Sequence, residues 1–181
     1  MFVQKELREK NIAEYLLYMW QVEDVIRAAG LDSDRLYETV IKNSGRSEPD
    51  QLKWKQWYDD LIEMMRVEGK TEHGHLQINE NVLMLLEDLH ARLLDSHKQP
   101  EYRDLYYKAL PFIVEFRAKN HSTENDELRD CFNMLYGVWL LRVQGKEVST
   151  STAQAVKAVS AFIGKLAVLY REDKEGTLDL E

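Results

Sequence analysis

The sequence predicts an all-α protein, a single-domain bundle of six or seven helices. Three observations carry this. Apolar residues return at three- and four-residue steps along most of the chain, which places them on one side of a helix. Only 3 prolines and 8 glycines punctuate 181 residues, too few for the corners of a strand-rich fold. Nowhere do β-branched residues alternate with polar ones over a useful length.

The first helix is expected over about Gln4–Ala29, with Ile12, Leu16, Met19, Val22 and Ile26 inward and Gly30 as its stop. A short second helix follows at Ser33–Asn43, capped by Asp32 or Ser33, with Leu36 and Val40 inward. Ser47-Glu48-Pro49-Asp50 opens the third, where Trp54, Tyr58, Leu61 and Met65 share a face and Gly69 ends the run. Lys70–Gln77 is a loop. The fourth helix reaches about His97 with Val82, Leu85, Leu86, Leu89 and Leu93 inward.

Pro100 opens the fifth helix, which places Tyr102, Leu105, Ala109, Phe112 and Phe116 together. Pro111 is expected to kink or break it, because a proline there loses one backbone bond and crowds the preceding turn. Ser122-Thr123 caps the sixth helix, with Leu128, Cys131, Leu135, Trp139 and Val143 inward. The seventh starts after Val148 and carries Val156, Val159, Ile163, Leu166 and Tyr170. The bundle is read as residues 1–172, with 173–181 a charged tail that frays.

A 44% apolar and 31% charged composition belongs to a globular chain, and this length buries roughly 70% of the unfolded surface without staples. The net charge of −8 and scattered Lys and Arg argue against nucleic acid as a partner. No run approaches the ~20 apolar residues of a membrane span. The opening MFVQKELREKNIAEY is charged within five residues and has no apolar signal core, so the expected setting is cytoplasmic. The lone Cys131 sits in an apolar run and is read as a core residue.

The stretch LREKNIAEYLLYMWQVEDVIRAAGLD, Leu7 to Asp32, resembles the opening of a helical family of Bacteroidetes proteins known as domain of unknown function 4924. The similarity extends over most of the chain and includes Trp54–Met65. It implies a compact helical fold in a bacterial cytoplasm and brings no catalytic motif with it.

Two Glu-x-x-His patterns, Glu72 to His75 and Glu87 to His90, have the spacing that lets a helix offer one metal both groups. The first lies in a loop, and the second has Glu87 nearly opposite the helix's apolar face. Both are read as solvated, with no metal and no cofactor. No phosphate loop, Cys-x-x-Cys or nucleophile elbow occurs.

Charges on apolar stripes say more. Arg8 and Glu23 fall on the inner stripe of the first helix, and Arg142 on that of the sixth. A buried charge needs a partner, so Glu23 and Arg142 are expected to meet, with Arg27 a nearer surface partner for Glu23. The ordinary reading is a structural ion pair. The functional one is a polar patch in an aromatic-walled pocket, with Arg8, Tyr15, Trp20, Glu23, Tyr58, Trp139 and Arg142 as its ligand-binding residues and Trp54 in its wall. Two functions stand side by side. One is a non-enzymatic interaction or scaffold module that forms a homodimer. The other is a small-ligand or metal-binding bundle, open to catalysis, with its site near helix one.

Overall fold

Asn11 divides what periodicity reads as one first helix. In the computed structural model, which describes residues 3–120 and 126–180, α1 spans Val3–Lys10 and α2 spans Ile12–Ala28. The Asn11 side chain accepts from Glu14 N at 3.2 Å, a local bond that competes with helical continuation and caps α2. The stripe Ile12, Leu16, Met19, Val22, Ile26 is buried as expected, and Glu23 with it. Arg8 is exposed, which corrects its inward placement: the break at Asn11 ends the α2 stripe before it reaches α1.

The short α3 (Ser33–Leu36) is capped by Asp32, whose carboxylate accepts from the backbone of Asp34 and Arg35. It runs into a π-helical turn over Tyr37–Ile41, closed by Lys42 N to Tyr37 O at 2.9 Å. That turn adds one residue to the repeat. Ile41, not the expected Val40, is therefore the residue buried after Leu36.

The α4 helix (Glu48–Val67) buries Trp54, Tyr58, Leu61 and Met65 as its spacing predicts. Ser47 and Asp50 bond to each other at 2.9 Å instead of capping backbone groups. Gly69, at φ 67°, takes the left-handed turn that lets Lys70 N reach back to Met65 O. After the loop, α5 runs over Gln77–Asp95 and buries Val82, Leu86, Leu89 and Leu93. Leu85 is 46% exposed, against expectation, and Leu83 is buried.

The α6 helix (Pro100–Asn120) continues through Pro111 without a break. The carbonyl that loses its donor there belongs to Tyr107, an exposed residue, so water can replace the lost bond. The α7 helix (Glu127–Val143) is capped by Asp126, which accepts from Arg129 N; the expected cap at Ser122-Thr123 lies outside the described residues. The α8 helix (Thr150–Glu175) is capped by Ser149 and closed by left-handed Gly176. Asp173–Glu175 are thus helical where a tail was expected. Beyond them, Leu180 O accepts from Ser96 Oγ and Asp179 O from Gln99.

These are eight α-helices among the described residues, with no strand among them, against the six or seven expected. The chain forms two compact units, Tyr18–Asn81 and Met1–Leu17 with Val82–Glu181. In the smaller, α3 and the π turn pack on α4. In the larger, α6 and α8 form the main pair and α7 packs on both. By length and composition α8 could cross a membrane, although no uninterrupted apolar run in it is long enough to span one. Its Val159, Phe162, Ile163, Leu166 and Leu169 are buried in this fold.

Candidate functional site

The seven residues expected to share a pocket fall into separate local arrangements. In the smaller unit Glu23 is fully buried. Its carboxylate accepts from Leu76 N at 2.9 Å and Asn79 Nδ2 at 2.6 Å, and lies 2.6 Å from His75 Nδ1. A carboxylate only accepts, so His75 carries its proton on Nδ1. The imidazole stacks on Trp20, centroids 4.0 Å apart and planes 10° from parallel. One turn on, Arg27 donates to Lys70 O and Gly74 O and to Asp24 at 2.9 Å, with its guanidinium 3.9 Å from Glu23. Glu23 and Arg27 thus fasten the whole 70–76 connection to α2.

This corrects the expected Glu23–Arg142 pair. Glu23 is satisfied by its own unit, and Arg142 is exposed near the end of α7. The expected α7 stripe advances by four-residue steps, each about 40° past a full turn, so its later members rotate away from the core. Trp139 is 38% and Val143 66% exposed, while Met134 and Val138 take the buried positions. Tyr58 packs edge-on to Trp57, beside Trp54, and the Arg46 guanidinium lies 4.2 Å over Trp54. Burial pushes the Tyr58 phenol up and that of Tyr18, helped by Tyr58, to about 12. Tyr15 is buried beneath Arg8, whose guanidinium is 5.6 Å from its ring.

The larger unit holds a polar cluster that sequence reasoning passed over. His90, read as solvated, is half-buried against the ring edges of Tyr102, Tyr106 and Phe162. Burial lowers its pKa below the usual imidazole value, against a weaker opposing pull from Glu127. Burial also pushes the Tyr102 phenol far up, so the 2.6 Å bond between them has Tyr102 donating to Nδ1 of a neutral ring. Tyr106 donates to Glu127 at 2.8 Å. A cavity of about 390 Å³ opens beside this cluster, lined by Glu87, His90, Asp126, Glu127 and Leu128. Cys131 on α7 is buried, and burial raises its thiol far above the range where a thiolate forms. Among the described residues no three His, Cys, Asp or Glu are grouped closely enough to hold a metal ion.

An apolar groove of about 420 Å³ lies between α6, α7 and α8. Phe112, Phe116, Met134, Val138, Leu141 and Ala155 form its walls. Glu115, Lys119, Ser151 and Thr152 stand at its rim. Gly137 faces open space where a side chain would sit. Beside the groove on α7, the exposed Trp139 stacks on Tyr136 at 5.6 Å. Sequence spacing placed Trp139 in the core; its one-residue offset from buried Val138 was the signal that it is not there.

Glu23, His75, His90 and Glu127 are engaged in internal hydrogen bonds, while apolar surface is left open at α7. The described residues thus form an all-helical fold with an apolar groove open at α7. The chain belongs to the family Domain of unknown function (DUF4924), whose model matches residues 1–177. No curated protein and no solved structure matches it.

Proposed function

We propose that the protein is a non-enzymatic helical interaction module that self-associates through the α7 face. One observation carries the reading: a projecting aromatic and an apolar groove occupy neighbouring positions on one helix. Trp139 projects, Val138 and Leu141 line the hollow beside it. A two-fold dimer needs a surface that contains both knob and hole, since each copy presents the same patch to the other. Aromatic anchors in apolar pockets dominate such interfaces. The net charge of −8 opposes association through charged faces, which leaves an apolar face as the favourable one. The continuous family match over 1–177 supports treating the two units as one functional domain.

Sedimentation equilibrium tests this. The wild-type chain of 21.3 kDa should sediment at twice that mass. Trp139→Ser should sediment as a monomer with an unchanged circular dichroism spectrum. A monomeric wild type at high micromolar concentration, or one that takes up an apolar peptide without dimerising, contradicts the proposal.

A further inference from the structure

We infer that the cleft between α1, the start of α2 and the end of α8 binds an organic anion, a carboxylate or phosphate carried on an apolar body. The cleft measures about 490 Å³. Its charged lining is Arg8, Lys10, Arg171 and Lys174 against Glu9 and Glu175, a net of +2 (four minus two) in a chain of net −8. Lys10 is paired with Glu6 at 2.6 Å. Arg8, Arg171 and Lys174 make no ion pair among the described residues. Arg8 lies over the Tyr15 ring at 5.6 Å and Lys174 over Tyr170 at 5.4 Å. Ring faces of this kind hold a cation in place without neutralising it.

The ordinary account of such residues is that they answer the negative end of a helix. That end is worth about half a charge. It explains Lys174 on α8. Arg8 and Lys10 stand in the last turn of α1, but backbone bonds from Asn11 N to Leu7 O and from Tyr15 N to Asn11 O carry the chain on into α2, so part of that negative end is already satisfied. With Glu6 counted against Lys10 the net is +1, of which about +0.5 remains after α8 is answered. Two guanidinium groups offer the fork that matches a carboxylate or phosphate.

The floor is apolar. Ile12 and Ala167 are buried, Tyr170 is half-buried, and Leu85 stands exposed at the wall. A few convergent charges over an apolar floor select a ligand with both characters. A bare inorganic anion would leave that floor in water.

Calorimetric titration with phenyl phosphate, and co-sedimentation with vesicles of phosphatidylserine in phosphatidylcholine, test the inference and separate its two sources. Saturable phenyl phosphate binding places the anion on a free ligand. Co-sedimentation with the anionic vesicles, absent with phosphatidylcholine alone, places it on a lipid headgroup. In either arm the double substitution Arg8→Ala, Arg171→Ala should weaken binding about tenfold or more. Lys53→Ala, a surface cation elsewhere, should leave it unchanged, and circular dichroism should show both variants folded. No saturable binding in either arm, or equal binding by the double variant, overturns the inference.

Discussion

Glu23 is a full charge in the interior, and its three hydrogen bonds explain why it is tolerated. Replacing it with Ala strands Leu76 N, Asn79 Nδ2 and the Nδ1–H of His75 and releases the 70–76 connection. The expected cost is about 3–5 kcal/mol by denaturant unfolding. Arg142→Ala should stay within about 0.5 kcal/mol, because that side chain is exposed. A Glu23→Ala cost under about 1 kcal/mol would show that the loop is held by something else. The inward position of Glu23 was legible from the helical period. Its partners were not, since they arrive 52 to 56 residues later, at the end of a loop with no period of its own and in the first turn of α5. His90 gives a second test at this scale. Its folded pKa lies below the ordinary 6.5, so the unfolded chain takes up the proton first as pH falls. Stability is full above 6.5 and declines below it, through the interval down to the folded value. Thermal unfolding from about pH 8 to about pH 5 should show this decline, and His90→Gln, which keeps an acceptor for Tyr102, should flatten it. A slope identical in both proteins would remove His90 from the account.

The α4 stripe was read correctly, but that of α6 only in part: Tyr102 and Ala109 are buried, Leu105, Phe112 and Phe116 are half-buried, and Tyr106 and Ile113 are buried in their place. Leu61, Met65, Leu86, Leu89 and Leu93 are buried where the period put them. Leu85, Trp139 and Val143 are not, because three or more equal steps, or one residue too many on a stripe, turn a side chain out of the core. The π turn at Tyr37–Ile41 shifted the register by one residue, and nothing in a propensity argument announces such a turn. Of the caps, Asp32, one of the two residues expected at α3, accepts from orphan N–H groups there, whereas Ser47 caps no backbone group of α4. The register of α5 can be tested directly by thermal or denaturant unfolding. Leu85→Lys should change stability by less than about 0.5 kcal/mol. Leu89→Ala, four residues on, should cost about 2–5 kcal/mol. The reverse order would mean that α5 presents another face to the core.

For the molecule as a whole, composition and periodicity gave the all-helical class, and the family match over 1–177 agrees with the resemblance read from Leu7–Asp32. The division into two units was invisible, because its boundaries fall inside α2 and α5, where the sequence continues an unbroken helical pattern. The candidate surfaces were legible only in part. Arg8 was singled out, though as a buried charge and not as the edge of a cleft. The α7 face could not be read, because a groove is made by three helices that are adjacent only after folding. Self-association through that face is the central claim, and Gly137 tests it most directly. A Cβ there meets no neighbour within 4 Å, and leucine favours the helix over glycine by up to about 1 kcal/mol. Gly137→Leu should therefore fill the groove without harming the fold. By multi-angle light scattering the wild type should be a dimer and this variant a folded monomer near 21.3 kDa. A variant that remains dimeric, with an unaltered helical spectrum, would contradict the account.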